Sequence, residues 1–265
     1  MHPALAEAVA DLVPPRVTFG ELVARAGRVL AASPAAVWAL WAALAGLYAA
    51  QEFAERRLGL GGEGASPTPA LWATTVAGDV VAVALSGLAV RRWLAPERGW
   101  RLDLGFWTYV ALAGLASLSF SAPDLLGVTH LLAATDRGGP GEPWSSFAEL
   151  AFMLALAYPL ARLMLWPTAR LVGDPGPGPR GSWRAMPGAV WPYIGAVVLP
   201  ALALMILVSA PARLLAGLLL PRAAWVPQLI EAVTLALVEA FAAAAAAVVY
   251  RQRARAEAGV AEVFD

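Results

Sequence analysis

The chain has 265 residues, of which 60% are hydrophobic and 14% charged, and its mean hydropathy is +0.65. This composition excludes an ordinary water-soluble domain and predicts a membrane protein. The 19 basic residues, all of them arginine, balance 19 acidic residues, so no net charge attracts nucleic acid. The absence of cysteine excludes disulfides and thiolate metal sites.

The first predicted element is an amphipathic helix that begins at a capping box formed by Thr18 and Glu21. Its apolar face consists of Phe19, Leu22, Val23, Ala26, Val29 and Leu30. Arg25 and Arg28 lie on the opposite face. We expect this helix to lie in the cytoplasmic headgroup layer and to turn into the bilayer at Ser33-Pro34. A simple anchor is the expected role; a sensor of lipid composition or a docking surface is the alternative.

Six apolar stretches follow, each near the length of about 20 residues that a helix needs to cross hydrocarbon. They cover residues 35–51, 70–90, 104–122, 147–166, 189–210 and 229–250. Pro159 is expected to kink the fourth stretch. The apolar segment 211–221 fits either an interfacial helix or a segment that dips into the membrane.

The predicted fold is therefore all-α: a polytopic membrane protein with six transmembrane helices and an amino-terminal interfacial helix. Residues 1–33 form the cytoplasmic amino terminus, residues 34–250 the membrane domain, and residues 251–265 a cytoplasmic tail.

The arginines predict the orientation of these spans, because basic residues are retained on the cytoplasmic side. The segments before span one, between spans two and three, between spans four and five, and after span six hold 3, 4, 4 and 3 arginines. The alternate segments hold 2, 1 and 2. Both termini are thus predicted to be cytoplasmic. The exclusive use of arginine as the basic residue and the high alanine, glycine and proline content are typical of a GC-rich bacterial genome. Spans that are α-helical predict the cytoplasmic rather than the outer membrane of a bacterium.

Ionisable residues at membrane depth are the candidate functional groups, because a central charge costs about 2.5–3.5 kcal/mol on insertion scales. Asp79 and Glu239 lie near the middle of spans two and six, Arg162 near the end of span four, and Glu231 near the outer interface. Asp79 and Glu239 either support coupled transport, or are protonated or hydrogen-bonded to Thr74, Thr75 or Ser86 and fix helix packing. Arg162 is expected to extend its guanidinium to the interface or to pair with a carboxylate.

Rows of small residues predict where helices approach one another closely. One row, in span one, consists of Ala42, Gly46 and Ala50, and a second, in span two, consists of Gly78, Ala82 and Ser86. Residues 242–247 of span six are all alanine. The rows in spans one and two serve either packing within the chain or self-association. Close packing of this kind leaves little room for a wide pore.

Residues around spans four and five carry a resemblance to a known family. They comprise the run Tyr158-Pro159-Leu160-Ala161-Arg162-Leu163, then Pro167, Ser182-Trp183-Arg184, Gly188 and Trp191, with Tyr250-Arg251 after the last span. This pattern is similar to the membrane domain of bacterial glycerophosphodiester phosphodiesterases and their stand-alone six-helix relatives. The linker 173–179 is richer in proline than the family pattern. The resemblance implies an integral membrane module, in which hydrolytic activity belongs to a separate soluble domain when one is present.

The sequence does not predict an enzyme. His130, flanked by Asp124 and Asp136, is the one histidine beyond the first residues, and no nucleophile, phosphate-binding or metal-binding motif is present. We therefore expect no cofactor and no catalytic residue. The predicted function is a non-catalytic structural or partner-interaction module, whose partners are the bilayer and a membrane protein or a second copy. The alternative is a small transporter or channel subunit that uses Asp79 and Glu239.

Overall fold

The computed structural model describes residues 17–57, 68–125, 144–175, 178–219 and 225–264. These parts of the chain are all-helical and contain no β-strand. Ten α-helices are described, with a 3-10 turn at Pro96–Arg98 and a π-helical turn at Met205–Ser209. They are α1 Phe19–Ala31, α2 Ala35–Arg57, α3 Pro69–Leu94, α4 Leu104–Leu125, α5 Trp144–Leu163, α6 Leu165–Val172, α7 Pro179–Ala185, α8 Val190–Leu204, α9 Ala210–Leu219 and α10 Trp225–Phe264. His130 lies outside the described residues.

Each of the six apolar stretches coincides with a helix, so their predicted helical nature is confirmed. Three helices are individually long and apolar enough to cross a membrane: Pro69–Leu94, Val190–Leu219 and Trp225–Arg253. Two bent pairs raise the number to as many as five, namely α1 with α2 and α5 with α6. The apolar helix Leu104–Phe120 is shorter.

Residues 211–219, for which the sequence fits either an interfacial helix or a segment that dips into the membrane, lie in helix α9. It continues α8 through the π-helical turn, and the two helices together run over Val190–Leu219. Pro211 has no N–H for the carbonyl of Leu207, and its ring crowds that carbonyl. The wider π-helical turn just before Pro211 accommodates both effects, so the helix continues instead of turning along the surface.

Proline has a smaller effect than predicted in α5. Pro159 lies inside this helix, which ends at Leu163. The 40° bend separates residues 151–163 from α6, so it falls at Met164 rather than at the proline.

Helix α1 confirms the predicted amphipathic helix and its cap. The Thr18 hydroxyl accepts a hydrogen bond from the Glu21 N–H at 3.4 Å. The axis of α1 makes an angle of 101° with that of α2. Leu22 and Ala26 are fully buried because α1 packs on α10 and α8, whereas Phe19 is partly exposed. Much of the apolar face therefore contacts protein, where the sequence had predicted contact with lipid.

The core of the bundle lies along α10, which packs most extensively on α2. Small side chains of α10 are buried, among them Ala236, Ala240, Ala244 and Ala247. Gly78, Ala82 and Ser86 are likewise buried on α3. The rows of small residues in spans two and six therefore pack inside the bundle, as expected for close helix approach. The row in span one does not, because Ala42, Gly46 and Ala50 are exposed on α2.

Hydrogen bonds join four chain segments at one end of the bundle. Trp93 Nε1 donates to Ser33 Oγ at 2.9 Å, and Arg251 donates to the Trp93 carbonyl. The Tyr250 hydroxyl donates to Asp174 at 2.5 Å. The beginning of α2, the ends of α3 and α6, and the part of α10 around Tyr250 thus meet at this end, which we call the inner end.

Candidate functional site

Five polar side chains from five different helices form a cluster inside the bundle. The polar cluster consists of Tyr48 on α2, Asp79 on α3, Tyr109 on α4, Tyr193 on α8 and Glu239 on α10. The charge of Glu239 acts on all three tyrosine hydroxyls and on Asp79. The structure therefore brings together the two carboxyls that the sequence selected, and adds three tyrosines.

Glu239 is exposed, and the other four members of the polar cluster are partly exposed. Because groups on four other helices lie within electrostatic range of Glu239, its side chain faces the interior of the bundle. This position fits either of the two roles predicted for these carboxyls, coupled transport or the fixing of helix packing.

The polar cluster extends along the bundle rather than around one level. The depths are counted at about 1.5 Å per residue from the start of α4 for Tyr109, from Tyr250 for Glu239 and from the end of α3 for Asp79. The three residues lie about 8, 17 and 23 Å from the inner end, respectively. A hydrocarbon core is about 30 Å thick. The polar cluster would then reach from the inner third of such a core past its midplane.

Glycines on α3 allow the neighbouring side chains to approach. A Cβ atom at Gly87 would lie 2.7 Å from the ring of Tyr109, so only glycine leaves room for that ring between α3 and α4. At Gly78, next to Asp79, an added Cβ would collide with the amide of Gln51. Gln51 in turn donates to Glu55 at 2.9 Å, which continues the polar path toward the far end of α2.

The structure shows the hydrogen bonding of two hydroxyls, those of Thr74 and Ser86, that were proposed as partners for the carboxyls. Thr74 donates to the carbonyl of Leu71 in its own helix at 2.9 Å. Ser86 Oγ is buried without a hydrogen-bond partner among the described residues.

The composition of the polar cluster favours a cation as its ligand. Two carboxyls within electrostatic range of one another attract positive charge, and tyrosine rings offer their faces to cations. Across the described ranges, no three side chains of His, Asp or Glu meet as the ligands of a metal ion would. Such a site suits a proton, a monovalent cation or an organic ammonium group.

The residues that carry the family resemblance lie in contact with one another. Ser182 is buried and donates to the Arg162 carbonyl at 2.8 Å, and the Arg162 guanidinium lies 4.6 Å from the centre of the Trp183 ring. Tyr158 receives a hydrogen bond from Arg162 and its ring lies 5.7 Å from that of Trp191. Arg162 is thus held by aromatic side chains. Arg184 is exposed, and Gly188 lies beside Arg253.

Glu231, the remaining candidate, pairs with an arginine at the other end of the bundle. Its carboxylate lies 2.9 Å from the guanidinium of Arg213 on α9. Both side chains are substantially exposed, so the pair contributes little stability. The ion pair gives Glu231 a structural role in joining α9 to α10.

Arg91 is a fully buried cation that the sequence analysis counted only as a loop arginine. Its guanidinium donates to the Arg101 carbonyl and to Asp103, whose carboxylate lies 2.5 Å away. Asp103 also accepts from the Phe106 N–H at 3.0 Å and so caps α4. The hydrogen bond from Arg91, with help from the cap and from Arg98, holds the pKa of Asp103 below its usual range.

We expect this depressed pKa to make part of the stability pH-dependent. A carboxyl whose folded pKa lies below its unfolded value of about 3.9 stabilises the fold above that pH. The contribution is lost as the pH falls through the folded pKa. Thermal unfolding of the wild-type chain and of Asp103→Asn from pH 6 downward is expected to show a difference that shrinks below about pH 4. A difference that stays constant down to pH 2 would contradict this assignment.

No family model matches the sequence, and no curated protein or solved structure matches it either. Function must therefore be inferred from the geometry of the polar cluster and of the inner end.

The sequence analysis missed the three tyrosines of the polar cluster and the pairing of Arg91 with Asp103. A signal for the tyrosines was present, because each lies in a long apolar stretch where its hydroxyl needs a polar neighbour. Asp103, just before an apolar helix, also fits the pattern of an N-cap.

Proposed function

We propose that the chain crosses the bacterial cytoplasmic membrane six times, with both termini in the cytoplasm. The contacts at the inner end support this arrangement, because they bring together the start of α2, the ends of α3 and α6, and the part of α10 around Tyr250. Arg91 extends the same group to the residues just before α4. Helices that leave and return to one end in this way alternate in direction. The arginine-rich segments of the sequence lie at that same end.

We infer that the bundle binds a proton or a small cation at the polar cluster and moves it across the membrane. The observation that carries this proposal is that Glu239, an exposed residue, lies within electrostatic range of Asp79 and of three tyrosines on four other helices. Ionisable groups at membrane depth commonly mark ion paths and proton relays. The extension of the cluster past the midplane is the geometry that such a path needs.

The second candidate is a non-catalytic module that organises the membrane or a partner complex. The docking of α1 on α8 and α10 favours it, because that contact presents a fixed basic surface at the inner end. The resemblance to the membrane domain of glycerophosphodiester phosphodiesterases also favours this candidate, because it implies an integral membrane module without hydrolytic activity of its own. The first candidate predicts that the purified chain moves cations across a membrane, and the second predicts that it does not.

The deciding experiment is a flux assay with the full chain in liposomes. A potassium diffusion potential, negative inside, drives cations inward, and an internal pH dye reports protons. Sodium and tetramethylammonium are tested in parallel with isotopically labelled ions. We expect faster entry of at least one of the three cations than into protein-free liposomes. If all three cations enter at the same rates as into protein-free liposomes, transport is rejected and the organising module is the function that stands.

A further inference from the structure

A second polar feature lies at the inner end, between α1 and α10. It is a cavity of about 350 Å³ lined by Arg25, Arg28 and Arg251, by Gln252, and by apolar residues that include Val29 and Val248. We call it the arginine cavity. Its volume is near the lower end of the range of about 300–1,000 Å³ typical of sites for small molecules.

The charge of the arginine cavity is not neutralised by its own residues. Arg25 forms an ion pair with Glu21, one turn earlier in α1. Arg251 donates to the Trp93 carbonyl, which orients the guanidinium and leaves its charge in place. Within the described residues Arg28 has no ion-pair partner, and its side chain is exposed. The residues that line the cavity thus include three guanidinium groups and no carboxylate.

The sequence alone gave two arginines on α1, too few to indicate recognition of an anion. The fold adds the third from α10, more than 220 positions along the chain. Guanidinium groups that converge from two elements bind phosphate oxygens through paired, charge-assisted hydrogen bonds. The apolar side of the cavity, formed by Val29 and Val248, suits the carbon skeleton attached to such a group.

We propose that the arginine cavity binds a phosphate group that carries an apolar substituent. An anionic phospholipid headgroup and a soluble phosphate ester share this chemistry. The proposal is independent of cation transport, since it depends on different residues and on a different part of the bundle.

The test measures binding of phosphatidylglycerol to the full chain in a neutral detergent, by native mass spectrometry. Glycerol 3-phosphate and inorganic phosphate are measured in a parallel arm. Arg28→Gln removes the guanidinium that has no ion-pair partner within the described residues, and Arg184→Gln is the matched control. Arg184 is an exposed arginine on α7, outside the lining of the cavity. A third variant, Ala32→Leu, fills the cavity without changing charge, since Ala32 lines it.

We expect Arg28→Gln to weaken binding of phosphatidylglycerol by about fivefold, the effect of roughly 1 kcal/mol per basic residue. Ala32→Leu should weaken it by a similar factor, because the larger side chain occupies the cavity. Arg184→Gln should leave the affinity unchanged. If only the soluble phosphates bind and show the same dependence on Arg28, the proposal stands with a soluble ligand. Equal effects of Arg28→Gln and Arg184→Gln on every ligand would reduce the cavity to general charge attraction and overturn the proposal.

Discussion

Replacing Glu239 by glutamine is expected to lower the cation flux of the reconstituted chain by roughly ten- to a hundredfold. A hydrogen bond to a charged group is worth about 1.5–3 kcal/mol, which corresponds to this range of affinity. Glutamine keeps the size and much of the hydrogen-bonding capacity of glutamate, so the packing of α10 should be retained. The measurement is the initial rate of cation entry into liposomes at a fixed diffusion potential, normalised to the amount of inserted protein.

Glu231→Gln provides the matched control for that experiment. It removes the same charge from the same helix, two turns away, where the carboxylate pairs with Arg213. We expect its flux to equal that of the wild type. Asp79→Asn should give an intermediate loss, because Asp79 lies within electrostatic range of Glu239. Equal rates for Glu239→Gln and Glu231→Gln would show that Glu239 has no part in transport.

Asp103→Ala is expected to be the most destabilising of the substitutions considered. It leaves the fully buried Arg91 without its counter-charge and removes the cap of α4. Breaking a fully buried ion pair costs about 3–5 kcal/mol. Because the Asp103 side chain is 37% exposed, water replaces part of the interaction, and we expect about 2–4 kcal/mol. Chemical unfolding in a mild detergent, followed by tryptophan fluorescence, measures this loss.

The double variant Arg91→Met, Asp103→Ala separates charge from packing. Methionine fills much of the space of the arginine stem and needs no counter-charge, so the double variant should recover part of the lost stability. If it is less stable than Asp103→Ala alone, Arg91 stabilises the fold by packing and by its bond to the Arg101 carbonyl, and the ion pair contributes little.

Long apolar stretches could be located from sequence because they leave a helix as almost the only way to satisfy the backbone in hydrocarbon. The capping pattern of Thr18 and Glu21 likewise predicted α1, since those contacts are local. The rows of small residues in spans two and six were predicted to be packing surfaces for the same reason: the spacing of a helical face is visible along the chain. These features depend on residues at most a few turns apart.

Contacts between distant segments were beyond the reach of such patterns. Arg91 and Arg92 are adjacent and chemically identical in sequence, yet only Arg91 is fully buried. The difference arises because Arg91 alone faces Asp103 and the Arg101 carbonyl. The arginine cavity has the same origin, since Arg28 and Arg251 become neighbours only when α1 folds back onto α10.

Helix α10 continues unbroken for 40 residues, from Trp225 to Phe264. At 1.5 Å per residue its length is about 60 Å, about twice the thickness of the hydrocarbon core. One continuous rod thus carries Glu231, Glu239 and Arg251. Tilting it about its middle displaces its two tips in opposite directions. A fluorophore on the part of α10 beyond Arg251 would therefore report on rearrangements around Glu239 without a probe at that carboxyl.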